Sequence, residues 1–257
     1  MSGNDSPKPK RVWGTPTVSA ADTIAQVAAN DATLEVLDLS GSAIFQMKPD
    51  EYMAQISEAL AKNTVVKELV LVNCGIGDRG CESLQAALAV NTTLAVINLE
   101  KNTISATGAS SLAMGLKNNS GVREINLMNQ TQGRWTDRCL DDFLQMFETN
   151  VSLTKIVWRL ESRKSFAINK MITRNNEIDR RVKSNLDYDD VLPTALKGKT
   201  IVLPNKDYKS SGSLEKASST SAGSDASSDR PAGAARPPPR TNKVLARWPP
   251  AAAAGAE

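Results

Sequence analysis

The sequence predicts an α/β solenoid: a short array of about five strand–helix units whose strands form one parallel, concave sheet, capped by a helix at each end and followed by a disordered tail. Three observations predict it. An aliphatic pattern recurs along the chain at a spacing of about thirty residues. Between recurrences, apolar residues fall at i and i+4, the spacing of a helix that buries one face. Histidine is absent and aromatic residues make up only 4% of the chain, so the composition supports an aliphatic core and excludes imidazole-based catalysis, His-ligated zinc and an aromatic stacking platform.

Taken in order, the first unit reads Leu34, Leu37, Leu39, Ser42 and Ile44. The second reads Val66, Leu69, Leu71, Cys74 and Ile76, and the third Leu94, Ile97, Leu99, Asn102 and Ile104. Two shorter copies follow, Val122, Ile125, Leu127 and Gln130, then Leu153, Ile156 and Trp158. The anchors 34, 66, 94, 122 and 153 are separated by 32, 28, 28 and 31 residues. This is the leucine-rich repeat pattern in a long form, similar to the ribonuclease-inhibitor type, with room for a full helix in each unit. Residues such as Leu69 and Leu71 point inward from a short strand, and the polar or thiol residue at offset 8 bonds backbone groups where the chain turns. The helices are marked by Ile56 with Leu60, Leu84 with Leu88, Leu112 with Leu116, and Phe143 with Phe147. Five units make an arc and not a closed horseshoe.

Terminal units of such a stack expose core unless they are covered. Residues 17 to 29, with Val18, Ile24, Val27 and Ala28 at helical spacing, are expected to cap the first unit. Residues 162 to 184, with Ile168, Met171, Ile172, Ile178 and Val182 in one stripe, are expected to cap the last. The expected organisation is therefore a flexible start over 1–16, a capped repeat domain over 17–183, an extended surface segment over 184–208, and a Ser, Ala and Pro-rich basic tail over 209–257 that lacks the aliphatics to offset the entropy of ordering. Three cysteines, no apolar leader and no membrane-length apolar run point to a reducing, cytoplasmic setting. There the Asn-x-Ser/Thr sequons at Asn4, Asn91, Asn118, Asn129 and Asn150 meet no glycosylation machinery.

Several motifs invite a chemical reading. Gly75-Ile76-Gly77-Asp78-Arg79-Gly80 is a literal G-x-G-x-x-G after a strand and before a helix, with Glu100 twenty residues on, the spacing of a dinucleotide fingerprint. The repeat accounts for it without a ligand, because Ile104 and Gly108 stand at the same offsets one unit later. A nucleotide-dependent enzyme is thus a remote alternative. With no Cys-x-x-Cys pair, Cys74, Cys81 and Cys139 read as core residues, and the carboxylate pairs Asp141-Asp142 and Asp189-Asp190 as solvated faces. No cofactor, metal or catalytic residue is expected. Arg236-Pro237-Pro238-Pro239-Arg240 in the tail reads as a solvated linker or as a polyproline ligand.

Two surfaces are candidates for a protein partner. The sheet face opposite the core presents Val36 and Asp38, Glu68 and Val70, Val96 and Asn98, Glu124 and Asn126, and Lys155 and Val157. These mixed aliphatic and charged columns suit a partner, and β-propensity alone accounts for the valines equally well. Residues 159 to 183 carry 8 basic and 3 acidic side chains, against a net charge of only +3 for the whole chain. Arg163, Lys170, Arg174 and Arg181 fall together on a helical wheel, away from the apolar stripe. They read as a solvated charge stripe or as a surface for an acidic partner.

The succession of five long repeats closed by a basic helix containing Met171-Ile172-Thr173-Arg174-Asn175-Asn176-Glu177 and then Arg180-Arg181 resembles the C-terminal leucine-rich domain of tropomodulins and leiomodins. The resemblance implies a non-enzymatic scaffold whose terminal helix contributes an actin-binding surface, with Arg174, Asn175, Asn176, Arg180 and Arg181 at the matching positions. The expected partner is a cytoskeletal protein, actin or one associated with microtubules, and the expected location cytoplasmic and cytoskeleton-associated. Neither a membrane nor nucleic acid is implied. The alternative reading is a general cytosolic adaptor that holds one regulatory protein on the concave face.

Overall fold

A computed structural model describes residues 19–132 and 134–199. The start over 1–16, the aliphatic run 201–203, the tail over 209–257 and its proline motif lie outside the described residues. Five three-residue strands, β1 (Val36–Asp38), β2 (Glu68–Val70), β3 (Val96–Asn98), β4 (Glu124–Asn126) and β5 (Lys155–Val157), pair in parallel in the order of the chain. Each strand begins two residues after its anchor, and the register sets the middle residues Leu37, Leu69, Ile97, Ile125 and Ile156 side by side. These point toward the helices and, with the anchors, build one continuous core.

Helix α1 (Ala20–Ala28) starts at Ser19, whose hydroxyl accepts from the Asp22 amide, and buries Ile24 and Val27 over the first unit. The first unit carries two helices, α2 (Ala43–Met47) and α3 (Pro49–Lys62), the second opened by a proline at its first position. Helices α4 (Asp78–Leu88), α5 (Ala106–Leu116) and α6 (Asp137–Met146) fill the next three units. The pairs spaced at i and i+4 in the sequence, Leu84 with Leu88, Leu112 with Leu116, and Phe143 with Phe147 at the C-cap of α6, are all buried, as is Leu140. Helix α7 (Lys164–Lys183) covers the last unit with Ile168, Met171 and Ile172, and two single 3-10 turns, Asp189–Val191 and Thr194–Leu196, fold back so that Leu192 packs with Val151, Ile178 and Val182. No helix among the described residues is long and apolar enough to cross a membrane.

Backbone polar groups at the two rims of the sheet are satisfied by two ladders of side chains. At the rim where strands end, the Asn102 amide accepts from the Cys74 and Ile76 amides (2.9 and 3.1 Å) and donates to the carbonyls of Leu71 and Leu99 (both 2.8 Å). Cys74 and Gln130 serve the neighbouring units, and Ser42 departs from the pattern by capping α2. The residue before each of these turns takes a left-handed conformation, Gly41 at φ +67°, Asn73 at +55°, Lys101 at +58° and Asn129 at +58°.

A second ladder, which the repeat alignment does not include, runs along the rim where strands begin. Asn63, Asn91, Asn119 and Asn150 stand three residues before successive anchors, and all are buried. Asn91 donates to the carbonyls of Leu60 and Asn63 (2.6 and 2.9 Å) and accepts from the amides of Thr93 and Leu94 (3.0 and 2.8 Å). Asn119 repeats this with Leu88, Asn91, Gly121 and Val122, and Asn150 with Leu116, Asn119, Ser152 and Leu153. Each rung thus ties one unit to the one before it.

Candidate protein-binding site

The ladder ends on α7, and that changes the reading of the basic helix. Asn175 is fully buried and donates to the carbonyls of Asn150 and Leu153 (3.2 and 2.9 Å), closing the last rung. Arg174 is half-buried: its guanidinium donates to the carbonyls of Phe147 and Asn150 (2.8 and 3.1 Å) and to the Asn175 side chain (2.8 Å). Burial lowers its pKa to about 10. Phe147 and Asn150 lie at the C-terminal end of α6, where a cation also meets the negative end of the helix dipole. The expectation that Arg174 and Asn175 present themselves to a partner is therefore corrected, because both complete the cap. A helical wheel gives the direction of a Cα–Cβ bond, but an arginine is long enough to turn back over a neighbouring helix end.

Other candidate residues of α7 divide by their ion pairs. Arg180 and Arg181 both engage Glu177 (2.8 and 2.7 Å), and Arg181 also pairs with Asp190. The two arginines hold the Glu177 carboxyl down at about 2. Asn176 is exposed and donates to the carbonyls of Thr154 and Ile172 (both 2.9 Å). Lys164 pairs with Asp141 (2.6 Å) and Lys183 with Asp179 (2.8 Å). Arg163 and Lys170 are exposed and pair with no acidic group among the described residues. Between them on the same face lies Phe166, 79% exposed, a residue that the apolar stripe of the sequence does not include. Its signal in the sequence is that a large aromatic falls on the charged side of the helical wheel.

Beneath α7 lies an ion pair that sequence reasoning missed. Arg123, one residue after an anchor and 1% exposed, contacts the Asp179 carboxylate at 2.6 Å. Burial pushes the Asp179 pKa up, but Arg123 and Lys183 together outweigh it and hold the carboxyl below its ordinary value. Nothing local marks the pair in the sequence, since its members are 56 residues apart.

The concave face is uneven. Val36 and Asp38 are exposed, while Glu68, Val70, Lys155 and Val157 are half-buried. Val96, Asn98, Glu124 and Asn126 are buried, at 1%, 2%, 5% and 2% exposure. Of the ten candidate positions on this face, these four central ones present almost no surface to a partner.

The glycine hexad serves the repeat. Gly75 takes φ +74°, Gly77 precedes α4 in an extended conformation at φ −109°, and a Cβ on Gly80 would lie 2.8 Å from Ile76. At the start of α4, where a phosphate would bind, the Asp78 carboxylate instead accepts from the amide and hydroxyl of Ser105 (2.8 and 2.5 Å). Glu100 is buried against the side chains of Asn126 and Asn129. Gly77→Ala is expected to change stability by at most about 1 kcal/mol, because its φ is negative. Gly75→Ala costs about 1 to 2 kcal/mol for the left-handed backbone. Urea midpoints of the two variants check this order, and an equal loss in both would refute it.

The sequence model of the TMOD/LMOD leucine-rich domain matches residues 17–178. The solved structure of leiomodin-1 actin-binding site 2 is similar with a TM-score of 0.60 and 22% identity, over 66% of this chain and 96% of that one. The tropomodulin C-terminal domain of Caenorhabditis elegans is similar with a TM-score of 0.59 and 18% identity, over 65% and 99%. No curated protein is a significant sequence match.

Proposed function

The chain belongs to the TMOD/LMOD leucine-rich domain family, and from that premise we propose that it is a non-enzymatic scaffold that binds actin through the outward face of α7. The observation that carries the proposal is the exposed triplet Arg163, Phe166 and Lys170, an exposed aromatic ring between two cations that pair with no acidic group among the described residues. An aromatic anchor supplies buried area on binding, and flanking cations steer an acidic surface toward it. Membership of the family and the likeness to the actin-binding site of leiomodin-1 support actin as the acidic partner. In this reading the protein works in the cytoplasm, on the cytoskeleton. The concave adaptor reading has less support, since the centre of that face is buried.

Co-sedimentation with actin filaments, with microtubules in parallel, tests the proposal. Because neither cation pairs with an acidic group among the described residues, Arg163→Glu with Lys170→Glu should leave the melting temperature within a few degrees. The same double variant should weaken actin binding by about tenfold or more, and Phe166→Ala should weaken it comparably. Binding should also fall as salt is raised through the range where the Debye length drops below about 10 Å. Absence of wild-type co-sedimentation with actin would refute the choice of partner. Undiminished binding by the variants would refute the choice of surface.

A further inference from the structure

The first unit is four residues longer than the 28-residue spacing that follows it, and the added length makes room for α2. Phe45 enters the core, and Gln46 turns toward the second unit, where its side-chain amide donates to the Asn73 carbonyl (2.6 Å). Ile44 lies on the opposite side of α2 from Gln46, with Met47 one turn along from it, and the two are 52% and 82% exposed. Asp38 and Asp50, exposed carboxylates to either side of α2 in the chain, pair with no cation among the described residues. Lys48, between them, is held by Glu51 at 2.9 Å. This end of the domain is acidic as a whole. Residues 19–62 carry seven acidic and two basic side chains, a net of −5, whereas residues 159–183, at the other end of the row of strands, carry three and eight, a net of +5.

We propose that α2 is a docking site for the α7 face of a second copy of this chain, so that copies join head to tail. The two surfaces are complementary in chemistry. Phe166 offers an exposed ring to the Met47 thioether and the Ile44 side chain, and Arg163 and Lys170, to either side of it, meet the carboxylates of Asp38 and Asp50. They are also complementary in position. Gln46 ties α2 to the rim where strands end, and Lys164 ties the start of α7 to the same rim by donating to the Asp137 carbonyl and the Asp141 carboxylate (3.1 and 2.6 Å) at the start of α6. One patch thus lies at each end of the row, and a copy displaced along the row brings its α7 onto the α2 of the next. A two-fold arrangement, α2 on α2, would instead set like charges against each other. A head-to-tail contact between unlike surfaces does not close on itself, so association is open-ended. On the reading that α7 also binds actin, actin and a second copy compete for one face.

Analytical ultracentrifugation of the intact chain at low salt tests this. The weight-average mass should rise past that of a dimer over about 10 μM to 1 mM, the span of a small, weak interface, and the rise should shrink as salt is added. Met47→Glu, at a side chain that the core does not use, should be monomeric over the same range with an unchanged melting temperature. Arg163→Glu with Lys170→Glu should also be monomeric. An equal mixture of these two variants should form a one-to-one dimer and nothing larger, because the first keeps its α7 face and the second keeps its α2 face. A wild type that stays monomeric throughout would overturn the proposal and leave α2 to a basic partner of another kind. A mixture that stays monomeric would equally overturn it, since the contact would then not join α2 to α7. Failure of either kind leaves actin binding untouched, and Met47→Glu should still co-sediment with actin if α7 is the actin-binding face.

Discussion

Asn91→Ala is expected to lower the free energy of unfolding by about 3 to 5 kcal/mol, because it leaves two carbonyls and two amides without partners in a buried rim, each costing on the order of 1 to 3 kcal/mol before relaxation. The groups stranded are the carbonyls of Leu60 and Asn63 and the amides of Thr93 and Leu94. Against a typical stability of about 5 to 15 kcal/mol for a whole domain, one rung is a large share. Because repeats stack by contact with their neighbours, the loss uncouples two units and should also broaden the transition. The control is Asn118→Ala at an exposed sequon, expected to fall within about 0.5 kcal/mol of the wild type. Urea denaturation measures both, and a loss under about 1 kcal/mol for Asn91→Ala would show that the ladder is incidental.

The second large effect is expected at the ion pair beneath α7. Arg123→Ala leaves Asp179 half-buried with only Lys183 and should cost about 3 to 5 kcal/mol. Replacing both partners, Arg123→Met with Asp179→Leu, should recover most of that loss, since a packed apolar pair avoids the desolvation of two charges. The pair also sets a pH dependence. The Asp179 carboxyl titrates lower in the folded chain than in the unfolded one, so its contribution is complete above the ordinary carboxylate pKa of about 3.9 and is lost as the pH falls below it. Glu177, held at about 2, acts in the same direction and window. Wild-type stability should therefore fall between about pH 4 and pH 2 more steeply than that of the double variant. Equal slopes would mean that Asp179 is not ionised against Arg123.

The repeats were legible because their signal is local and recurs. The anchors 34, 66, 94, 122 and 153 place each strand two residues on, and Cys74, Asn102 and Gln130 bond the turns as their common offset implies. The asparagine ladder was equally periodic in the sequence, as Asn-x-x before Val66, Leu94, Val122 and Leu153. Reading each unit forward from its anchor left those residues outside the pattern. Two of them, Asn91 and Asn150, instead drew notice as sequons, a surface motif, although both are buried.

By itself, then, the sequence determined the number of units, their register and the placement of a helix over each end, because those follow from which side chains are apolar and how often they recur. Only the tertiary structure decided which polar groups are available. Arg174 and Asn175 close the last rung, Arg180 and Arg181 are neutralised by Glu177, and Arg123 finds Asp179 across 56 residues. Arg163 and Lys170 are exposed and meet no acidic group among the described residues. The physical reason is that an apolar side chain is buried by its own periodicity, whereas the fate of a charge depends on which distant carbonyl or carboxylate the fold brings within reach of a long, flexible side chain.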